Sequence, residues 1–307
     1  MTTLKGPADA DHYRVKVGQS RWYCDPLPSD ERWEATDAQW PSVSATKPPF
    51  ANRYVTIKSL AEMDPAEITW LAGIDTDRRY DAYKAHERAT SLINMNRGTI
   101  VHAWAEDLLA DRPMVDPTGL YDRAAVEAAA AFRPGLEQFF EDYNPSPIAV
   151  EVPCIHRSLN GFGYGGTADV FADLGEHGRW VIDWKSRKSD HGAYVEEAAQ
   201  GGAYLGAEYM VVVGVDGQPV RIPIPQMDGI LIVSITDTGY RCFPVDAASA
   251  VDAYRAMHTW WVSQRVTKFG RAWAPRPVPS MTPADSALGV TPADVDPAGD
   301  LLARLGL

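Results

Sequence analysis

The middle of the sequence contains three short runs of apolar and β-favouring residues, at 148–156, 164–172 and 180–184. Clusters of glycine and asparagine separate these runs at 160–166 and 175–178, and such clusters are typical of turns. The pattern predicts three consecutive strands that form an antiparallel meander. Any fold proposed for this chain has to accommodate that meander.

Segments with helical patterns flank the meander on both sides. Four are predicted before it, at 60–71, 77–93, 97–109 and 123–143, and two after it, at 193–204 and 247–269. Ser59 is suited to cap the first helix, a turn at Asn96 separates the second from the third, and Pro134 is expected to kink or break the fourth. Further strands are predicted at 13–17, 209–215, 220–224, 230–235 and 241–245. This order predicts an α/β fold, an α+β arrangement in which a mixed sheet is flanked by helices.

The composition divides the chain into three predicted parts. Residues 1–58 are rich in proline and form an N-terminal arm, and residues 59–273 form the main domain, which begins with helices. Residues 274–307 are rich in proline and low in charge, which predicts a flexible tail.

Composition and charge exclude several classes of protein. With 45% hydrophobic and 23% charged residues, the chain is neither collagen-like nor wholly disordered. A net charge of −12 argues against a protein that coats nucleic acid through a general basic face. No apolar stretch is long enough to span a membrane, and the three cysteines are too widely spaced for a disulfide framework. We therefore expect a cytoplasmic protein with no membrane partner.

The segment WVIDWKS places two charged residues inside a strand that its apolar neighbours predict to be buried. Asp183 and Lys185 are two residues apart and therefore share a face of the strand, and the preceding turn brings Asp169 alongside them. Convergent carboxylates are ligands for Mg²⁺ or Mn²⁺, and a metal with a nearby ammonium suits phosphodiester hydrolysis. The alternative is an ordinary Asp–Lys ion pair in a structural hairpin.

Two further pairs have helical i, i+4 spacing. His102 and Glu106 lie on one predicted helix, and Gln200 and Tyr204 on another. Taken alone, His102 fits a core histidine as well as a metal ligand. Gln200 and Tyr204 fit the solvent face of a helix as well as a site.

These elements together resemble a known enzyme family. Gly98, His102 and Glu106, then GTAD at 166–169, DWK at 183–185 and QGGAY at 200–204 occur in the order seen in PD-(D/E)XK nucleases. The pattern is similar to the RecB-type branch, which includes the nuclease domains of recombination helicases, CRISPR-associated exonucleases and phage-encoded relatives. The resemblance covers residues 98–204 and implies a restriction-endonuclease-like core.

The resemblance also implies roles for individual residues. Asp169, Asp183 and Lys185 would be catalytic, and the metal would be held by Asp169, Asp183, His102 and the backbone carbonyl of Trp184. Glu151 is a further candidate carboxylate for the metal site. Gln200 and Tyr204 would support the site or contact DNA.

The sequence departs from the branch in its cysteines. Many exonucleases of this branch hold an iron–sulfur cluster on four cysteines, and this chain has only Cys24, Cys154 and Cys242. We therefore expect no iron–sulfur cluster, which points to the cluster-free phage exonucleases. A basic and aromatic segment at 255–276 offers Arg265 and Lys268 as DNA contacts, although its tryptophans equally suit packing on the core.

The expected function is therefore metal-dependent hydrolysis of DNA by an exonuclease acting on linear ends, in recombination or end processing of a phage or bacterium. A phage single-strand annealing protein is the protein partner that the resemblance suggests. The alternatives are a nuclease-fold adaptor that binds DNA or protein without cleaving, and a restriction-type endonuclease of the same superfamily.

Overall fold

The structure is a computed structural model that describes residues 3–6, 14–17, 20–24, 40–46, 63–159, 162–187, 192–214 and 217–266. The chain divides into two compact units, Met1–Trp261 and Val262–Leu307. The fold and the candidate site described below belong to the first unit. The predicted cap Ser59 and the predicted tail at 274–307 lie outside the described residues.

Helices and strands alternate in blocks along the chain. The helices are α1 (Pro65–Ala72), α2 (Thr76–Leu109), α3 (Arg123–Ala130), α4 (Arg133–Tyr143), α5 (Val195–Leu205) and α6 (Ala247–Val266). The first strands are β1 (Leu4–Lys5), β2 (Arg14–Val17), β3 (Ser20–Tyr23) and β4 (Trp40–Pro41). The later strands are β5 (Ser146–Leu159), β6 (Phe162–Asp173), β7 (Arg179–Ser186), β8 (Tyr209–Val213), β9 (Pro219–Ile222), β10 (Gly229–Thr236) and β11 (Gly239–Asp246).

The main sheet has eight strands in the order β11-β10-β7-β6-β5-β8-β9, with β1 paired to β5 beside this path. Its pairs are antiparallel except for β10 with β7 and β1 with β5, which are parallel. Strands β2, β3 and β4 form a small antiparallel sheet of their own. The predicted meander is thereby confirmed as β5-β6-β7, and the fold is mixed α/β with a mostly antiparallel sheet flanked by helices.

Each face of the main sheet is covered by a separate apolar layer. On one face, α2, α3 and α4 bury side chains such as Ile100 and Phe139 against Ile182 and Trp184 of β7. On the other face, α5 and α6 bury small residues against strand residues that include Val181. Because side chains alternate along a strand, Asp183 and Lys185 project to the same side as Val181.

The helix α2 runs without interruption through Asn96, so the predicted turn at that residue is wrong. Asparagine costs a helix only about 0.7 kcal/mol relative to alanine. The contacts of the residues that follow Asn96 outweigh this small cost. Arg97 is 6% exposed and bonds to the end of β7, and Ile100 is buried under the sheet.

The predicted break at Pro134 is confirmed. Helix α3 ends at Ala130 and α4 begins at Arg133, so Pro134 lies in the first turn of α4. A proline is tolerated there because the missing N–H would have no partner within the helix.

The double glycine of α5 allows this helix to approach its neighbour closely. A Cβ atom on Gly202 would lie 1.9 Å from the carbonyl oxygen of Ala250 in α6. This close contact fixes α5 over the sheet and thereby sets the positions of Gln200 and Tyr204. Among the residues that the structure describes, no helix is long and apolar enough to cross a membrane.

Candidate active site

The antiparallel pairing of β6 with β7 stops partway along both strands. Residues Val170–Asp173 pair with Arg179–Ile182, and the ladder ends at the pair Val170–Ile182. Beyond this point β7 still pairs with β10 as far as Ser186. The edge of β7 that faces β6 therefore has its backbone groups available to side chains.

The side chain of Asp169 lies in the gap that this separation creates. Its Oδ2 atom accepts a hydrogen bond from the backbone N–H of Trp184 at 3.3 Å. The N–H is thus bonded to a carboxylate rather than to the neighbouring strand. The same carboxylate is held against the strand that carries Asp183 and Lys185.

The pairing of β5 with β6 is also interrupted next to Asp169. Val150 pairs with Val170 and Val152 pairs with Ala168, but Glu151 and Asp169 between them are not paired. Glu151 has a left-handed backbone with φ of 50°. This conformation costs a residue other than glycine about 1 to 3 kcal/mol. The strain lies beside Asp169, where both strand ladders are open.

The helix α2 contributes His102 to this opening. The Nε2 atom of His102 lies 2.9 Å from the carbonyl oxygen of Trp184, and its Nδ1 atom lies 3.4 Å from Oδ2 of Asp169. A carbonyl only accepts, so Nε2 carries a proton. Nδ1 faces the carboxylate of Asp169, so the imidazole and the carboxylate converge at this point. The side chain is 30% exposed, so His102 does not occupy an apolar core position.

Asp183 and Lys185 form an ion pair on the α5 side of β7. Asp183 is only 3% exposed. Burial acts to lower the pKa of Lys185, but the charges of Asp183 and Asp169 outweigh it and raise that pKa above its usual value. Lys185 is thus held as a cation that is paired with Asp183 and further stabilised by the charge of Asp169.

Two more carboxylates, Glu106 and Glu151, lie near Asp169. Burial, together with the negative charges of Asp169 and Glu106, raises the pKa of Glu151 to about 8. Burial likewise raises the pKa of Glu106, with Asp169 adding to the effect. Several carboxylates thus lie close enough to raise one another's pKa, which is the electrostatic setting that attracts a cation.

Gln200 and Tyr204 lie next to each other on α5, and the amide of Gln200 donates to the hydroxyl of Tyr204 at 3.0 Å. Tyr204 is 4% exposed, so the solvent-face alternative is wrong for this residue. A Cβ atom on Gly166 would lie 2.6 Å from the Tyr204 ring, so glycine at 166 is what allows the ring to reach the site.

A cavity of about 1190 Å³ lies over the opening. The residues singled out from the sequence that line it include His102, Glu106, Glu151, Asp169, Gln200 and Tyr204. The side chains of Asp183 and Lys185 lie next to Asp169 but do not line the cavity itself. Of the remaining candidates, Lys268 lies outside the described residues, as does the side chain of Arg265.

Sequence reasoning missed one wall of this cavity. Lys5, Arg14, Arg21 and Tyr23, from β1, β2 and β3, line it together with residues of α2. The available signal was the alternation RVKV, followed after two residues by SRWY, which is typical of a β-hairpin with a basic face. The proline-rich composition of residues 1–58 had predicted only an arm with one short strand here.

The donor atoms gathered here fit a divalent cation chemically. An imidazole nitrogen, a carboxylate oxygen and a backbone carbonyl suit Mn²⁺, and carboxylates with a carbonyl suit Mg²⁺. Within the described residues, no three or more His, Cys, Asp or Glu side chains are spaced so that they could hold a metal ion together. Asp183 is paired with Lys185, and Nε2 of His102 bonds to the Trp184 carbonyl.

Comparison with known proteins adds little to this geometry. No protein-family model and no curated protein matches the chain. Among solved structures, the crystal structure of SSO0001 aligns with 52% of this chain and 73% of its own chain, at 18% sequence identity and a TM-score of 0.25. A similarity this low has no bearing on fold or function.

Proposed function

We propose that this chain is a metal-dependent deoxyribonuclease with a PD-(D/E)XK core, and that it acts as an exonuclease on linear DNA. One observation carries the proposal. Strands β6 and β7 separate where Asp169 meets the Asp183–Lys185 pair, and His102 reaches the Trp184 carbonyl at the same point. These are the residues that the ordered sequence motifs single out.

Asp169, His102 and the Trp184 carbonyl would hold Mg²⁺ or Mn²⁺, with Asp183 as the further carboxylate. When bound, such an ion polarises a phosphate and lowers the pKa of a water molecule. Lys185 is a cation next to Asp169 and would offset the negative charge that develops on the phosphate during attack. Gln200 and Tyr204 border the same cavity and would support the site or contact the DNA.

The preference for an exonuclease rests on the sequence resemblance to the RecB-type branch. The same resemblance is the basis for the proposed setting, which is recombination or DNA-end processing in a phage or bacterium. It is also the basis for a phage single-strand annealing protein as the proposed partner. A non-cleaving adaptor is less well supported because Asp169, Asp183 and Lys185 are all present and adjacent.

Digestion of end-labelled linear and closed-circular DNA, each with Mn²⁺, Mg²⁺ or EDTA, tests the proposal. We expect loss of the linear DNA alone, only when a metal is added. Cleavage of the circle would favour the restriction-type endonuclease instead. A folded protein that cleaves neither substrate with any metal would contradict the proposal and favour the adaptor.

A further inference from the structure

The wall of the cavity formed by β1, β2 and β3 is firmly attached to the main sheet. Lys5 pairs with Val150 in the parallel ladder of β1 and β5, and the N–H of Gly6 donates to the Val150 carbonyl at 3.1 Å. A Cβ atom on Gly6 would lie 1.9 Å from the carbonyl oxygen of Glu151. The end of β1 is therefore packed directly against the backbone of the candidate site.

The small sheet is attached at two further points. The Tyr23 hydroxyl shares a hydrogen bond of 3.0 Å with the Thr167 hydroxyl on β6, and the Trp40 indole donates to the Arg157 carbonyl on β5 at 3.1 Å. Tyr23 is 2% exposed. These contacts hold the basic hairpin of β2 and β3 against β5 and β6, so that Arg14 and Arg21 line the same cavity as Asp169.

The cations on this wall have no carboxylate in direct contact within the described residues. Within the part of the chain that the structure describes, the side chains of Lys5, Arg14 and Arg21 form no ion pair and no hydrogen bond. A chain with 41 acidic residues against 29 basic ones has carboxylates in excess, yet these three cations face a cavity instead. Arg14 is close enough for its charge to oppose the raised pKa of Glu151 on the floor of the cavity.

The size of the cavity limits what can enter it. A sphere of 1190 Å³ is about 13 Å across, which is close to the roughly 12 Å width of the major groove alone in B-DNA. A complete duplex is wider than one of its grooves. A single strand therefore fits this cavity more easily than a complete duplex does.

We propose that Lys5, Arg14 and Arg21 form a phosphate-binding wall that holds a single DNA strand against the candidate site. The inference rests on the proposed nuclease function and specifies its substrate as a single-stranded or locally unpaired end. Phosphates on either side of the attacked one contact this wall, while the carboxylates at the floor remain free to hold a metal. The cations of the wall thus bind the strand, and hydrolysis takes place at the carboxylates.

Anisotropy of a short fluorescein-labelled oligothymidylate, titrated with the full chain in Ca²⁺ over a range of salt concentrations, measures this contact. We expect the double variant Arg14→Gln/Arg21→Gln to bind on the order of ten-fold more weakly than wild type. Loss of two phosphate contacts lowers the slope of log K against log salt by about 1.4, because each contact to a single strand contributes about 0.7.

Two matched variants complete the experiment. Arg14→Lys/Arg21→Lys keeps both charges and should keep the slope, which separates loss of charge from loss of fold. Arg133→Gln removes an exposed arginine from α4, outside the cavity lining, and should bind as wild type does. Circular dichroism of each variant checks that it is folded.

The outcomes distinguish this inference from the proposed function. An unchanged affinity and slope in the Gln variant would overturn the wall, even if the protein still hydrolyses linear DNA. Tighter binding of a blunt hairpin duplex than of oligothymidylate by the wild type would overturn the single-strand assignment. Binding with the expected slope but no hydrolysis in Mg²⁺ or Mn²⁺ would support the wall and overturn the nuclease.

Discussion

The paired and unpaired halves of β6 and β7 differ in what their backbone groups bind. In the paired half, Val170–Asp173 and Arg179–Ile182 are joined in an antiparallel ladder, and Val170, Phe171 and Val181 are fully buried. In the unpaired half, the backbone of Trp184 bonds to the side chains of Asp169 and His102. The paired half therefore stabilises the fold, and the unpaired half next to it carries the candidate site. Mutations in the paired half should mainly lower the free energy of unfolding, and mutations in the unpaired half should mainly lower the rate of hydrolysis.

The largest effect is expected from Lys185→Ala in the unpaired half. Loss of its positive charge should reduce the rate of DNA hydrolysis by at least about 10⁴-fold, which corresponds to roughly 5 kcal/mol. The measurement is the release of nucleotides from linear DNA with Mn²⁺. The matched control is Lys84→Ala, which should retain full activity. Lys84 pairs with Glu87 in the N-terminal half of α2, away from His102. Turnover by Lys185→Ala within ten-fold of wild type would remove Lys185 from the site.

Phe171→Ala tests the paired half. Its ring is fully buried in the layer under α5, so the free energy of unfolding should fall by about 3 to 5 kcal/mol. Denaturant titration gives this value, and hydrolysis per folded molecule should stay within a few-fold of wild type. Phe162→Ala, at a 37% exposed position on the same strand, should cost much less. Equal costs at the two positions would contradict the assignment of Phe171 to the core.

His102→Ala addresses the link between α2 and the unpaired half. If the imidazole is a metal ligand, Mn²⁺ should bind at least about ten-fold more weakly, a change of about 1.4 kcal/mol. Calorimetric titration of the wild type and the variant measures this difference. His86→Ala removes a histidine from the same helix that contacts Glu67, so its Mn²⁺ affinity should match wild type. An unchanged affinity in His102→Ala would show that His102 is not a metal ligand and that its role is limited to its bond with the Trp184 carbonyl.

The smallest effect is expected from Arg97→Lys at the end of the unpaired half. The Arg97 guanidinium bonds to the Ser186 carbonyl at 3.0 Å and to the Asn94 side chain at 3.0 Å, and a lysine cannot make both contacts in this geometry. We expect a loss of about 1 kcal/mol in unfolding free energy and a few-fold lower kcat with KM unchanged. Arg88→Lys, exposed on the same helix, should change neither quantity. A higher KM with unchanged kcat would argue that Arg97 contacts the substrate instead.

The parts of the fold that were predictable are those with local signals. Alternating apolar residues and glycine-rich turns predicted β5, β6 and β7, and Pro134 predicted the break between α3 and α4. Asn96 was misleading because packing of the residues that follow it outweighs a small loss of helix propensity. The pairing of β1 with β5 left no local signal, since Leu4 and its partner Ala149 are far apart in the sequence.

In the candidate site, too, the features with local sequence signals were predictable and the others were not. The spacing of Asp183 and Lys185 predicted that they share a strand face, and they form an ion pair there. The positive φ of Glu151 was not predictable, because a residue other than glycine adopts it only when its surroundings impose it. The separation of β6 from β7 at Asp169 was likewise hidden, since the sequence of each strand reads as continuous.

The pairing of β1 with β5 has a consequence for the order of events during synthesis. Thr3 bonds to the carbonyl of Pro147, 144 residues later in the chain. At roughly 5 to 20 residues per second, a ribosome needs about 7 to 30 s to make that intervening length. The cationic strand is thus made early but docks late, after its partner strand has emerged. The cavity wall therefore closes only after β5 at Ser146–Leu159 has been made, and a nascent fragment that ends before β5 has no assembled site.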